Sequence, residues 1–332
     1  MATNAYDYVV VGIGGIGSAA LYWLSRNAPN SKMLGLEQFS LGHARGGSQD
    51  FSRIVSVHFG MDCLGYIFID FRRKAIGYTT TPQYRALAQG MYPAWEVIEE
   101  ESGLQLVYKC GGLDLMEPQF KNTTKEHQLY WRQHFEQNFA GTQKMSGLQL
   151  CERWPQFKLD PNTRALYEPE AGFVDAAMAN AAHQQCAQAR GAEILENVKV
   201  TALRKSLDKV YKMLVCTNKG DFLCRKVIVS SGAWVNQVLS TTGVHIPVTV
   251  TEENVTYFAT PNIKQYTKEK FPVMIYWGPH CHIYSLPVHG YAAFKIGCDA
   301  AGPPTTGDTR SFTPDSKREQ YLSKFLARCL PS

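Results

Sequence analysis

The sequence has little that points to a membrane, a nucleic acid or a disulfide scaffold. Its densest apolar run, "LGYIFIDF" at 64–71, is far too short to cross a bilayer, and Asp70 interrupts it. The N-terminus "MATNAYDY" has no basic region ahead of an apolar stretch, so nothing reads as a secretory signal. The net charge of +5 is mild and spread along the chain. The strongest basic run, Arg72, Arg73 and Lys74, reads as a solvated patch rather than a nucleic-acid site. The nine cysteines are odd in number, widely spaced and without a CxxC. That pattern argues for reduced thiols in a cytoplasmic or organelle-matrix protein, and against a disulfide framework or a zinc site. No internal repeat or low-complexity tract is present.

What is present is a chain of 332 residues, long enough for two domains with real cores. Near its start lies "YDYVVVGIGGIGSAALYWLS", residues 6–25. Asp7 to Val11 reads as a buried parallel strand and Gly12 to Gly17 as a turn. A helix is expected from about Ile16 to Asn27, stopped by Pro29, and "KMLGLE" (32–37) reads as a second strand. This is a βαβ unit. Gly12, Gly14 and Gly17 form GxGxxG within it. Gly12 permits the tight turn, Gly14 lets a diphosphate approach the backbone, and Gly17 lets helix and strand pack closely. Free N–H groups at the helix start favour the negative charge. Glu37, ending the second strand, can accept ribose hydroxyls. The alternative is a purely structural glycine turn. NAD and FAD both use this fingerprint, so it leaves the choice of dinucleotide open.

Further on, "GGLDLM" (111–116) reads as a strand and 121–140 as a polar helix. Residues 175–203 give a helix, a Gly191 stop and a strand from near Glu193. A hairpin is expected around Asn218–Gly220, with a buried strand at 227–231. Short β segments dominate after 235, "GPPTTGD" (302–308) is a loop, and 315–330 is a closing helix.

Three later segments carry a resemblance: "QFSLGHARGGSQDFSRIV" (38–55), "IVSSGAW" (228–234) and "HIYSLPVHGYAAFKIG" (282–297). With the glycine turn, they resemble the FAD-dependent amine oxidases of the monomeric sarcosine oxidase and peroxisomal sarcosine/pipecolate oxidase family. That family also includes N-methyltryptophan oxidase and fungal fructosyl-amino-acid oxidases. The resemblance implies FAD, a small-molecule amine substrate and O2, with an imine and hydrogen peroxide as products. It implies an α/β (α+β) fold. A Rossmann-like FAD-binding domain would use 1–85 and 157–235, and a mostly antiparallel substrate domain 86–156 and 236–332. A monomer is favoured. A truncated, catalytically impaired flavoprotein or an incomplete gene product, and an NAD(P)-dependent dehydrogenase, are the rival readings.

Site residues follow from the same resemblance. Gly12, Ile13, Gly14, Gly15, Ile16 and Gly17 match the diphosphate turn, and Glu37 the ribose carboxylate. Gln38, His43, Arg45 and Ser48 lie where the family's chain follows the cofactor. Ser52 and Arg53 match a hydroxyl-arginine pair beside the flavin ring. Val200 matches the strand whose backbone meets adenine. Ser231 and Gly232 match the close approach near the diphosphate, with Trp234 packing beside them. Lys295 matches the flavin-facing lysine, stabilising negative charge as O2 is reduced, and Tyr284 a tyrosine shaping the substrate cage. His280, Cys281, His282 and His289 form no usual metal spacing and read as ordinary strand residues.

Departures from the family matter as well. Ser56 stands where the family has an arginine that grips the substrate carboxylate. Most of 56–77 has no counterpart and reads as an insertion, such as a retained intron would encode. The family's later segment, with its flavin-linking cysteine, has no match after "FLARCLPS", so FAD is expected to be non-covalent and Cys329 is not assigned the covalent role. An exposed sheet edge and an opened pocket are expected with it. Asp299 stands where the family has a histidine.

Overall fold

The computed structural model describes residues 4–56, 82–118, 141–278, 282–299 and 302–331. The expected helix at 121–140, the expected insertion beyond Ser56, and His280 and Cys281 lie outside them. Among the described residues the strands form three sheets.

The first sheet is built on Ala5–Val11. Val9, Val10 and Val11 are all buried, as a parallel strand covered on both faces requires. It pairs in parallel with Met33–Leu36 on one side and Gly220–Val229 on the other, so that Val9 faces both Leu34 and Val227. Glu193–Leu195 extends the sheet in parallel. Met213–Thr217 and Val200–Lys205 extend the other edge antiparallel. The expected hairpin is therefore present, but its second strand stops at Val229 and is only half-buried over 227–229. Ser230 turns away there to donate its hydroxyl to the Gly12 carbonyl.

Two helices, Gly15–Asn27 and Ala176–Ala189, share a core with this sheet. Ala179, Ala182 and Ala187 are small enough for them to pack closely. Asp175 caps the second helix by accepting the Met178 N–H at 2.8 Å. Gly191, at φ +93°, provides the left-handed residue that ends it. The helix Pro82–Ser102 also places Met91 and Ile98 in this core, although most of it falls in the stretch expected to serve the substrate side.

The second sheet has seven strands, in the order Val255–Phe258, Phe294–Asp299, His282–Leu286, Val273–Trp277, Gly112–Met116, Arg164–Glu168 and Gln143–Ser146. Arg164–Glu168 thus joins this sheet from within the stretch expected in the nucleotide-binding part. Successive side chains on a strand point to opposite faces. The rear face, including Tyr276, Ile283 and Ile296, packs on Leu322 and Phe325 of the closing helix Ser316–Cys329. The front face carries Ile275, Trp277 and Leu286 against Ile54 and Phe173 of the third sheet. That sheet has the order Arg53–Val55, Gly172–Val174, Val107–Tyr108. Lys295 lies opposite Leu286 and Tyr257, and so shares the front face.

Cys298 is disulfide-bonded, which departs from the expected set of reduced thiols. Cys110, Cys151, Cys186, Cys216, Cys224 and Cys329 are free. No helix among the described residues is long and apolar enough to cross a membrane.

Candidate active site

The glycine turn is closed by contacts that leave no room for side chains. The Gly12 N–H donates to Leu36 O at 2.8 Å, and Gly12 has φ +87°. A Cβ on Gly17 would overlap the Gly12 carbonyl, so that residue fixes how closely helix and strand approach. Gly14 differs: a Cβ there would meet only Ser48 Oγ, at 3.8 Å. Its outer side is open where a diphosphate would pass. The helix begins with no side-chain cap and no acid in its first turn, leaving its N–H dipoles for an anion. Ile13 is buried in the core, whereas Ile16 is 58% exposed at the helix start. Gly15 lies against the Ser48 side chain.

Glu37 is buried, and both its oxygens are engaged. Oε2 accepts the Ile13 N–H at 2.9 Å, and Oε1 accepts the Phe39 N–H at 3.1 Å. His43 Nδ1 accepts the Arg45 N–H at 3.0 Å, which leaves a neutral ring's proton on Nε2, 3.4 Å from Glu37 Oε1. Burial alone would raise the carboxyl pKa, but the His43 contact and the two backbone N–H groups outweigh it and hold it below the usual value. A depressed folded-state pKa contributes stability above the unfolded value, about 4.3, that is lost as pH falls through the folded one. Glu37→Gln is therefore expected to flatten the loss of stability between about pH 5 and pH 3. Urea unfolding across that range checks this; identical acid dependence in both proteins contradicts it.

The segment 47–53 runs from the glycine turn to the seven-stranded sheet. Ser48 touches Gly15 at one end, and Ser48 O accepts from Asn180 Nδ2 at 2.9 Å. At the other end, Ser52 O accepts the Lys295 ammonium at 2.7 Å and Arg53 Nη1 at 3.1 Å. Arg53 also donates to Gly47 O and Gln49 O, which fixes the curvature of the segment. Asp50 Oδ2 lies 2.5 Å from Lys295 Nζ and 3.6 Å from Arg53 Nη1. Tyr257 donates its hydroxyl to the other Asp50 oxygen. Lys295 is 2% exposed. Ser52, Arg53 and Lys295 are thus brought together, with Asp50 and Tyr257 as members that sequence reasoning missed. The only sequence signal for Asp50 was an acidic residue in a glycine-rich stretch.

The remaining expected residues are more dispersed. Tyr284 shares the front face with Lys295 and lies over Gly297, where any side chain would collide with its ring. Val200 is buried in the core cluster that holds Val11 and Leu36. Trp234 donates to Asp308 at 2.8 Å and meets Phe39 edge-on. Arg45 is exposed and lies over the Phe39 ring, while Gln38 is half-buried. Gly232 has φ +52° and open space beside it. Gln184, which donates to Ile13 O at 3.0 Å, and Ser230 hold the turn from distant elements. Nothing local in the sequence marks them.

The departures have definite surroundings. Ser56 donates to the buried carboxylate of Glu168 at 2.5 Å. Burial, and then repulsion from Glu253, pushes the Asp299 carboxyl up to about 6. Cys329 is fully buried in the rear core, where burial pushes its thiol up to about 12. His282 packs against Trp277 with the rings tilted by 44°, and His289 Nε2 lies 2.7 Å from Asp175 Oδ2.

FAD fits the groups present. Among the described residues, Ser52 Oγ and Ser231 Oγ are two of the four buried hydroxyls, with Thr163 Oγ1 and Ser285 Oγ, that have no hydrogen-bond partner; the first two bear on the cofactor. They stand at the two places where sequence reasoning put the flavin end and the diphosphate. A buried polar atom without a partner is costly unless a ligand supplies one. The space over Gly14 and Gly232 provides the close backbone approach a diphosphate needs.

A model of the family described as FAD dependent oxidoreductase matches residues 7–332. Monomeric sarcosine oxidase from Bacillus sp. (strain B-0618) is 26% identical over 340 residues, covering 100% of this chain and 78% of the relative. Peroxisomal sarcosine oxidase from Homo sapiens is 26% identical over 336 residues, covering 99% of this chain and 77% of the relative. Among solved structures, NikD, an unusual amino acid oxidase essential for nikkomycin biosynthesis, aligns with a TM-score of 0.78 at 19% identity. That alignment covers 99% of this chain and 78% of NikD, and shows a shared fold.

Proposed function

The chain belongs to the FAD dependent oxidoreductase family, as an FAD-dependent amine oxidoreductase, and from that premise we propose that it oxidises secondary amines or N-alkyl amino acids to imines with release of hydrogen peroxide. The observation that carries this reading is the segment 47–53, which touches the glycine turn at Ser48 and the buried Lys295 at Ser52. Bound FAD supplies the electron acceptor for C–N bond oxidation. The protein supplies orientation and charge. Gly12, Gly14, Ser231 and Gly232 would hold the diphosphate, Gly17 lets the helix pack close enough to form that turn, and Glu37 holds the turn from the ribose side. Ser52, Arg53 and Lys295 would lie beside the flavin ring, where the two cations would favour negative charge. Tyr284 borders the substrate space from the same sheet face as Lys295.

The six-stranded sheet forms the nucleotide half and the seven-stranded sheet the substrate half. Ser56, backed by Glu168, offers a hydroxyl where a cation would be needed to hold a carboxylate, so this position does not provide a bidentate grip. FAD is held non-covalently in this reading, consistent with Cys329 lying in the rear core. A monomer in the cytoplasm or peroxisome completes the proposal.

Purified protein mixed with sarcosine, pipecolate or fructosyl-lysine tests it. At least one should bleach the flavin without air and yield peroxide in air. No bleaching by any secondary amine, with reduction of NAD(P) instead, contradicts the proposal. Acid precipitation should leave a yellow supernatant; colour kept in the pellet contradicts non-covalent binding.

A further inference from the structure

Asp50 is unusual in three ways at once. Its backbone has φ +93°, in the left-handed region that an L side chain rarely adopts. Its side chain is 10% exposed, a costly position for a carboxylate. All its contacts point to one place: Phe51 N–H at 2.8 Å, the Tyr257 hydroxyl, Arg53 and the Lys295 ammonium. An unfavourable backbone persists only when its surroundings over-determine it, and such residues cluster at functional sites. A buried ammonium faces a matching difficulty, since loss of water favours its neutral form unless a charge partner compensates.

We propose that Asp50 is the positioning residue of the flavin-side lysine: its carboxylate clamps the Lys295 ammonium against Ser52 O and compensates its charge, so that the ammonium stays in place across the working pH range. This rests on the reading that Lys295 faces the flavin ring. Asp50 acts through Lys295 and Arg53. The clamp is itself braced, because Tyr257 lies on the strand beside Lys295 and is directly paired with it. Burial would raise the Asp50 carboxyl pKa, but Lys295, Tyr257 and the Phe51 N–H outweigh it and hold it below its ordinary value. Burial and the Asp50 contact raise the Tyr257 phenol.

Among the described residues, the charged and titratable groups facing this cluster can be named element by element. Asp50 and Arg53 come from the 47–53 segment, Tyr257 from the neighbouring strand, and Tyr284 from the strand on the other side. Tyr291 comes from the preceding loop, 5.0 Å from the Tyr257 ring. His289, in that same loop, is engaged with Asp175.

The test follows two quantities in the flavin-loaded full chain across about pH 7 to about pH 9.5, a range below the ordinary lysine pKa of about 10.4. One is the rate at which O2 reoxidises reduced flavin, and the other is the melting temperature. Wild type should reoxidise at a rate that stays level over this range. In Asp50→Asn the ammonium has lost the carboxylate at 2.5 Å, and burial then favours the neutral amine. Its reoxidation should fall with rising pH, by up to about tenfold per pH unit above the new midpoint. Its melting deficit relative to wild type should shrink by about 3 °C or more over the same range, because the buried charge that has lost its Asp50 carboxylate disappears. Asp50→Gly accepts φ +93° without strain and should behave in the same way if Asp50→Asn folds poorly.

Lys295→Met measured in parallel separates the two levels of the argument. Reoxidation at the wild-type rate in Lys295→Met refutes the role of Lys295. Slow Lys295→Met, together with Asp50 variants whose rate profile parallels wild type and whose melting deficit is constant with pH, overturns the clamp alone. A falling alkaline limb in wild type itself also overturns it.

Discussion

Gly17→Val should give a colourless, destabilised protein. The added side chain would overlap the Gly12 carbonyl, and the Ser230 hydroxyl at 2.7 Å crowds it as well. Gly12 is pinned by its N–H to Leu36 O and by the Ser230 hydroxyl on its own carbonyl. The first helix is held from behind by the alanine-rich face of Ala176–Ala189. Either the helix moves off the sheet or the turn opens, and both destroy the diphosphate cradle. Overpacking of a well-packed site costs about 1–3 kcal/mol and occasionally more; the backbone contact places this case at or above the upper end. The flavin-to-protein absorbance ratio and urea unfolding measure the two effects. Gly14→Ala is the matched control, because its Cβ meets only Ser48 Oγ at 3.8 Å. It should leave the fold intact and weaken flavin retention alone. Equal stability loss in both variants would mean that the turn is merely structural.

Lys295→Met should slow reoxidation of the reduced flavin by about 10²–10³-fold, the range seen when one preorganised electrostatic stabiliser is removed. The reductive half-reaction should change far less, because there the amine passes electrons to the flavin and no O2 is reduced. The substitution also leaves Asp50 buried without the ammonium at 2.5 Å. Breaking a buried pair from one side costs about 3–5 kcal/mol, whereas removing both charges costs much less. Lys295→Met/Asp50→Asn should therefore recover stability while staying slow with O2. Stopped-flow mixing of reduced enzyme with O2, beside thermal melting, separates rate from stability. A double variant that recovers both would show that the single variant was slow only because it was damaged.

The parts of this fold that were legible in the sequence are those specified by short-range physics. The βαβ unit follows from three consecutive buried valines, a glycine turn and an acidic strand end, all within residues 5–37. The hairpin before Val229 and the closing helix, capped by Asp315, are equally local. The Gly191 stop was readable because a left-handed helix end favours glycine.

Long-range placement was not legible. Lys295 and its carbonyl partner Ser52 are separated by 243 positions. Only family resemblance, not periodicity, could bring them together. An isolated lysine in "AAFKIG" fits an outward-facing strand position equally well, and the register opposite Tyr257 and Leu286 is what buries it. Asp50 was missed because its meaning lies in a backbone angle and in a buried ammonium, Lys295, supplied by tertiary structure. The hydrogen bond of Trp234 to Asp308 depends on a distant loop. The helix Pro82–Ser102 has an apolar pattern that does not state which sheet it will cover, and it packs with the six-stranded one.

Crystallising the FAD-loaded chain and measuring the distance from the flavin ring to Lys295 Nζ tests the central claim most directly. The account predicts a ring lying beside Ser52 with the ammonium in direct contact, at about 3 Å, or joined to it through one ordered water. A ring held elsewhere, with Lys295 still closed on Asp50 and separated from the flavin by packed side chains, would contradict it.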